Sequence, residues 1–481
     1  MEVLFAAFES LPFIKTGGLA DVVYALPKAI NQDKYQIRVV LPLHLRIKES
    51  HFSKMAFLSH LHIRSGRIDE EADVYALMNE GIEYLFIDNG KCFGRYDVYG
   101  YEDDAFRYSL FCLAVVEMLK ALDYYPAIIH THDYHTALIP AICKLKSASF
   151  LRLASIRQVF TIHNLAYQGI YDKRILFDYL DFAYEEYANG ELRYNDSANL
   201  MKIGIVYADI ITTVSRSYAK EILTGEYGFG LEYVLRYRKD DLYGIPNGID
   251  TTVFDPSRDQ IPCNYDASNV HRLKVFNKLF LQRKLSLKED KDILLLGVVS
   301  RLVNQKGIGL LLDSLDDILK KKVQLVVVGN GETSYEYAFK ALQAEHRGQV
   351  AYYCGYDEAL SHQVYAGVDV LLMPSAYEPC GISQLIAMRY GTIPMVRETG
   401  GLKDSVQPLN EYDNTGHGFS FGPYRKEDFL NVFDYLYLQY YQYHDRFKML
   451  MDNAMKYDVS FASSAKEYER IYDKVIENVK I

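Results

Sequence analysis

Short runs of apolar and β-branched residues recur along the chain, each closed by a polar or glycine-rich turn. In the first half they are Val3–Phe8, Ile37–Pro42, Ala127–His130, Gln158–His163 and Asp209–Ser215. The second half starts the pattern again with Ile293–Ser300, Gln324–Gly331, Val368–Ser375 and Thr392–Val396. Helical patterns lie between them. Leu19, Val22, Val23 and Leu26 fall at i, i+3, i+4 and i+7 and predict one apolar helix face. Continuous apolar strands alternating with amphipathic helices predict parallel sheets covered on both faces.

The stretch from Leu242 to Pro256 is rich in Gly, Pro, Asn and Asp and reads as a hinge region. The pattern therefore predicts an α/β protein of two doubly wound, Rossmann-like domains, residues 1–242 and 243–455. A final helix in 456–481 is expected to pack back on the first domain. Ligands of such sheets bind at the carboxyl ends of the strands, which predicts a deep cleft between the domains as the site. The length of 481 residues agrees with two hydrophobic cores rather than one.

Composition narrows the function. A net charge of −10 without a long basic run speaks against a nucleic-acid partner. Six scattered cysteines without a CxxC pair fit reduced thiols better than a disulfide framework or a zinc site. The N-terminus lacks a basic, cleavable leader, and no run is long and apolar enough to span a bilayer, so a cytoplasmic protein without a membrane partner is expected. The 42 Tyr stand beside no Trp.

The chemistry-bearing clusters sit where strands are expected to end. Lys15-Thr16-Gly17-Gly18-Leu19-Ala20-Asp21 joins a strand to a helix; it is either a plain glycine turn or a loop whose backbone and lysine receive an anion. His130-Thr131-His132-Asp133-Tyr134-His135 lacks the helical i, i+4 spacing of a zinc motif. Its histidines either face a sugar hydroxyl or merely cap the next helix, the second reading applying to His130 and His132. Thr161-Ile162-His163-Asn164 forms another polar strand end. Arg301 and Lys306, on the loop after Ser300, either clamp a pyrophosphate or are solvated surface charges. Glu378-Pro379-Cys380-Gly381 offers a carboxylate to sugar hydroxyls, and Thr399-Gly400-Gly401 repeats the strand, Gly-Gly, helix device. So many clusters on strand-end loops in both halves are hard to explain as turns alone.

Together, KTGGLADVV (15–23), HTHDYHTALIP (130–140), FTIHNLAYQGIY (160–171), GIPNGIDTTVFDP (244–256), VSRLVNQKG (299–307) and the segment 378–406 resemble the bacterial glycogen synthases and plant starch synthases. The resemblance spans nearly the whole chain. It implies a GT-B fold and the retaining transfer of glucose from ADP-glucose to the non-reducing end of glycogen or another α-1,4-glucan, with no cofactor and no metal. It further implies catalytic roles for His135, Glu378, Arg301, Lys306 and Asp21. Lys15, Gly17, Gly18, Asn164, Cys380, Gly381, Thr399, Gly400 and Gly401 are implied as substrate-binding. Intact cations and the Glu378 loop argue against a non-catalytic paralogue. The chain departs from the family at Tyr134, Phe254 and Phe461, where Trp is usual, and at His44 and Ile386. At Asp103-Asp104, where Asp-Asn is common, the extra acid is expected to add negative charge near the cleft.

Overall fold

The computed structural model describes residues 1–146 and 151–477. The chain divides into two compact units, Met1–Asn247 with Phe461–Ile481, and Gly248–Ser460.

The first unit is built on one nine-stranded sheet. Its strands are β1 (Glu2–Ala6), β2 (Gln36–Pro42), β3 (Ala56–Ser65), β4 (Ile68–Asn79), β5 (Ile82–Asp88), β6 (Ile128–His132), β7 (Arg157–Ile162), β11 (Ile210–Thr213) and β12 (Leu242–Gly244), in the order β12-β11-β7-β6-β1-β2-β5-β4-β3. Between β7 and β11 the chain makes a small separate sheet of β8 (Ile170–Asp172), β9 (Arg193–Tyr194) and β10 (Ser197–Asn199). From β12 to β5 all pairs are parallel. The central strand β1 is apolar throughout, and Val3, Leu4, Phe5 and Ala6 are all fully buried, while its neighbour β6 buries His130, Thr131 and His132.

Strands β4 and β3 extend this sheet antiparallel. Sequence reading had named neither, although β4 alternates: Ile68, Ala72, Val74 and Ala76 are buried while Asp69 and Glu71 are exposed. Period two with one wet face is the signature of an antiparallel addition and leaves no continuous apolar run. Because β12 pairs with β11, the first unit's sheet runs past residue 242, and the units part at Asn247 within the stretch read as a hinge.

The helix Gly18–Ala29 buries Leu19, Val22, Val23 and Leu26, the predicted stripe. The last helix, Ala462–Glu477, belongs to the first unit and buries Ala465, Tyr468, Ile471, Tyr472 and Val475. Tyr35 Oη donates to Asp473 at 2.7 Å, and Glu469 Oε1 accepts the Asn31 N–H at 2.9 Å.

The second unit holds a six-stranded, wholly parallel sheet. Its strands are β13 (Leu294–Val299), β14 (Val323–Gly329), β15 (Val350–Cys354), β16 (Val370–Met373), β17 (Ile393–Arg397) and β18 (Phe419–Phe421). The order β15-β14-β13-β16-β17-β18 is the Rossmann order 3-2-1-4-5-6. Its reversal point lies between β13 and β16, whose following loops carry Arg301, Lys306 and Glu378. Among the described residues no helix is long and apolar enough to cross a membrane.

Candidate active site

In the first unit the polar clusters gather at the carboxyl ends of β1, β6 and β7, which are neighbours in the sheet. Gly17 precedes the helix Gly18–Ala29 in extended conformation, and no side chain caps the first turn. Lys15 Nζ pairs with Asp21 Oδ1 at 2.8 Å, so these two predicted site residues hold each other. Behind the loop lies Glu9, 3% exposed, which sequence reading did not single out. Its Oε2 accepts the Thr16 N–H at 2.5 Å and the Thr16 hydroxyl at 2.7 Å. Burial pushes the Glu9 carboxyl up to about 7 against the opposite pull of those hydrogen bonds.

The three histidines of the second cluster separate into different roles. His130 is wholly buried and spans Tyr472 Oη at 2.8 Å and Thr161 Oγ1 at 2.6 Å, which makes it a core residue. His132 Nδ1 meets His163 Nε2 at 3.0 Å. His135 is 5% exposed, and neither ring nitrogen has a hydrogen-bond partner. Tyr99 stacks on its ring at 4.5 Å and Phe8 at 5.3 Å. Burial foremost, with the neighbouring His163 ring and the Arg107 guanidinium adding to it, holds His135 neutral, far below the usual imidazole value. It therefore offers one N–H and one lone pair rather than a charge. Its carbonyl accepts a long bond from Cys112 Sγ at 3.4 Å. Asn164 Oδ1 accepts the Ala166 N–H at 3.1 Å and shapes the turn after β7.

Asp133 has a role that its motif alone does not reveal. It takes a positive φ of 56°, and its Oδ1 accepts the His163 N–H at 2.7 Å. Burial pushes it to about 7, with the charge of Glu9 adding to the rise. Asp104 corrects an expectation. It is 7% exposed and ion-pairs with the fully buried Arg107, while Oδ2 accepts the Gly100 N–H at 2.9 Å and the Tyr108 hydroxyl at 2.9 Å. Its negative charge is neutralised inside the domain and organises the loop before its helix, rather than adding charge to a ligand surface.

In the second unit, Lys306 Nζ and Glu378 Oε2 form an ion pair at 2.5 Å, and Ser375 Oγ donates to the same oxygen at 3.2 Å. Glu378 is 5% exposed, while Arg301 stands exposed on the same loop as Lys306. Gly307 explains why the two loops meet. With φ at 72°, a Cβ there would lie 1.9 Å from the Pro374 carbonyl oxygen. The Ala376 N–H then donates to Gln305 O at 2.8 Å. Thr399-Gly400-Gly401 packs against the other side of the Glu378 loop. A Cβ on Gly401 would lie 2.1 Å from Cys380 O, and the Gly401 N–H donates to Glu378 O at 3.1 Å. These glycines therefore serve backbone packing, and the Gly401 N–H is already engaged. Thr399 Oγ1 is buried without a hydrogen bond. Gln384 Nε2 donates to Gly381 O at 2.9 Å and to Cys380 O at 3.2 Å, fixing that loop to the following helix. Among the described residues, no group of three or more His, Cys, Asp or Glu could hold a metal ion.

Comparison with known proteins decides what this arrangement belongs to. Residues 2–237 match the family model described as starch synthase catalytic domain, and residues 278–449 match glycosyl transferases group 1. A glycogen synthase of Desulforamulus reducens is 42% identical over 479 residues, covering 99% of both chains. One from Exiguobacterium sibiricum is 43% identical, covering 98% of both. The chain belongs to the glycogen and starch synthase family. As a member it is a glycosyltransferase of GT-B fold. The catalytic domain of starch synthase IV from Arabidopsis thaliana, bound to ADP and acarbose, superimposes with a TM-score of 0.91 at 30% identity, covering 99% of both chains. A sucrose-phosphate synthase from Thermosynechococcus elongatus shares the fold alone, at 14% identity and a TM-score of 0.61.

Proposed function

We propose that the chain is a cytoplasmic enzyme that transfers glucose from ADP-glucose to the non-reducing end of an α-1,4-glucan, with retention at the anomeric carbon. The observation that carries this reading is the ion pair of half-buried Lys306 with buried Glu378 at the strand ends of the second unit, in a chain similar end to end to glycogen synthases. ADP bound to the similar Arabidopsis domain supports the choice of nucleotide. Six cysteines, none in a disulfide, agree with a reducing compartment.

As the bond from glucose to the diphosphate breaks, negative charge grows on the phosphate oxygens and positive charge on the sugar ring. Lys306 and Arg301 stabilise the first, because fixed cations need no solvent reorganisation at the moment of reaction. Lys15 leaves Asp21 for the diphosphate. Glu378, released from Lys306 by the incoming phosphate, accepts glucose hydroxyls and eases charge on the ring. His135, neutral and unpartnered, exchanges hydrogen bonds with a sugar hydroxyl. The acceptor hydroxyl attacks from the face that the leaving group vacates, and a phosphate oxygen takes its proton.

The test is glucose incorporation into glycogen from ADP-glucose and from UDP-glucose in parallel, with EDTA present. Strong transfer from ADP-glucose alone is the expected result. Equal transfer from both donors would remove the nucleotide assignment, and transfer from neither would remove the enzyme reading.

A further inference from the structure

Glu9 combines features that a structural residue rarely keeps together. It is a carboxyl at 3% exposure, in a protein with ample neutral alternatives, and it has no lysine or arginine ion-pair partner among the described residues. Its hydrogen bonds all run to one short segment: the Thr16 N–H, the Thr16 hydroxyl and the backbone of Gly17. A buried ionised carboxylate without a counter-charge is costly, so a glutamine of the same shape would hold that segment at less expense. Something beyond holding the loop favours a group that titrates.

We propose that Glu9 is a positioning residue for the Lys15–Gly18 loop and that it takes up a proton when a nucleotide-linked diphosphate binds there. The proposal rests on the reading that this loop receives the donor's diphosphate. Two negative charges arriving beside a buried carboxylate raise its proton affinity, and the proton neutralises the repulsion that the ligand would otherwise meet.

The surroundings make Glu9 the group that responds. Asp21 acts on it from the first helical turn, where it is paired with Lys15 of the loop. From the end of β6 comes Asp133, the other carboxyl, pushed to a similar value partly by Glu9 itself. His163, at the end of β7, is held down to about 3 by burial, and His132 and His135 are also held neutral. Burial drives Tyr99 far above its ordinary value. Around neutral pH, therefore, only the two carboxyls of this cluster exchange protons. They behave as a coupled pair, with Glu9 the member bonded to the loop.

The experiment is calorimetric binding of ADP-glucose without glucan, across about pH 6 to 8.5, in buffers of different ionisation enthalpy. The diphosphate diester has no group that titrates in this range. For the unaltered chain, net proton uptake is expected near neutrality, and affinity should fall on the order of tenfold toward the alkaline end. Glu9→Gln should bind within about threefold of the unaltered chain at low pH, because its amide oxygen still accepts the Thr16 N–H, with uptake and pH dependence both lost. Glu9→Ala should bind more weakly at every pH, because the clamp itself is gone. Thr16→Val removes a hydrogen bond that favours the ionised form, so it should move the pH midpoint upward. It provides a test even where Glu9 variants fold poorly. Asp133→Asn should keep the uptake at a lower midpoint.

The proposal is overturned if Glu9→Gln keeps the uptake and slope of the unaltered chain, if Thr16→Val leaves the midpoint in place, or if Asp133→Asn alone abolishes the linkage. Lys15→Ala separates the underlying reading. Unchanged affinity there shows that the loop does not receive the diphosphate. Weakened affinity without Glu9-dependent uptake shows that only the inference about Glu9 has failed.

Discussion

The two units place their functional loops at the same kind of position, the carboxyl ends of parallel strands, but equip them with opposite electrostatics. At β6 and β7 the first unit's strand ends are buried and mostly uncharged: His132, His135 and His163 are held neutral, among aromatic rings such as Phe8 and Tyr99, and the unit's charged pair, Lys15 with Asp21, sits apart on the loop after β1. The second unit's strand ends carry full charges, the Lys306–Glu378 pair and the exposed Arg301, on loops pressed together by glycines. A neutral hydrogen-bonding surface suits hydroxyl groups, whereas fixed cations suit phosphates. The same topology thus serves two recognition chemistries, and the difference lies in which charges burial permits. Each unit should accordingly fail in its own way.

Acid should separate them most. Five deeply buried histidines of the first unit, His44, His130, His132, His135 and His163, have folded pKa values below the ordinary 6.5, chiefly through burial, and half-buried His51 is lowered too, whereas among the described residues of the second unit His417 alone is shifted this way. A group depressed in the folded state binds more protons when unfolded, so its contribution to stability is lost as pH falls below about 6.5. Each ring costs up to about 2 kcal/mol at pH 5. Glu9 and Asp133 oppose this. Their raised values make folding more favourable as pH falls from about 7 toward the ordinary carboxylate range, which offsets part of the loss. Two carboxyls do not balance five imidazoles. Hydrogen exchange read peptide by peptide, at about pH 5 and 7.5, should show β6, β7 and their loops opening first in acid. Earlier opening of β13 and β16 would break the comparison.

That contrast also marks how far sequence could reach. Strands β1, β13 and β16 were legible because strands buried on both faces are almost wholly apolar, β6 and β14 because apolar runs remain around their buried polar residues, and the helix Gly18–Ala29 because its stripe has helical spacing. Strands β3 and β4 carry no continuous apolar run, because one of their faces is wet. In the site, motif order pointed to His135, Lys306 and Glu378. The pairing of Lys15 with Asp21 depends on how the loop between them folds, whereas Asp104 and Arg107 are i, i+3 neighbours on one helix and only their burial depends on tertiary packing. Glu9 left only a faint signal, one acid after an apolar strand and six residues before Lys15. Its meaning appears only when the loop folds back onto it.

A smaller effect tests the charged unit. Lys306→Ala removes the cation while leaving its backbone, including the Gly307 contact, in place. Turnover should fall roughly 10²- to 10³-fold, the usual cost of deleting one preorganised electrostatic partner. Circular dichroism should remain that of the unaltered chain. Loss of secondary structure in step with activity would mean that Lys306 serves mainly to neutralise the buried Glu378 carboxylate, and the contrast between the units would narrow to packing.

The smallest expected effect concerns what keeps the first unit's histidines neutral. His130 makes one hydrogen bond to Tyr472 on the last helix and one to Thr161 on β7. Thr161 in turn bonds the Thr212 hydroxyl of β11 at 2.6 Å, so the last helix is tied through one ring to three adjacent strands. Tyr472→Phe keeps the ring packing and removes only the hydroxyl. It leaves Nδ1 of a fully buried imidazole without its partner, which should cost about 1–2 kcal/mol in denaturant unfolding at neutral pH. The neutral chain of hydroxyls and imidazoles predicts more than a lost contact. Without Tyr472 Oη, water entering beside His130 would ease its protonation, so the variant's deficit should shrink relative to the unaltered chain as pH falls toward 5. A deficit that stays constant with pH would mean that the hydroxyl holds the helix in place but plays no part in keeping the strand ends uncharged.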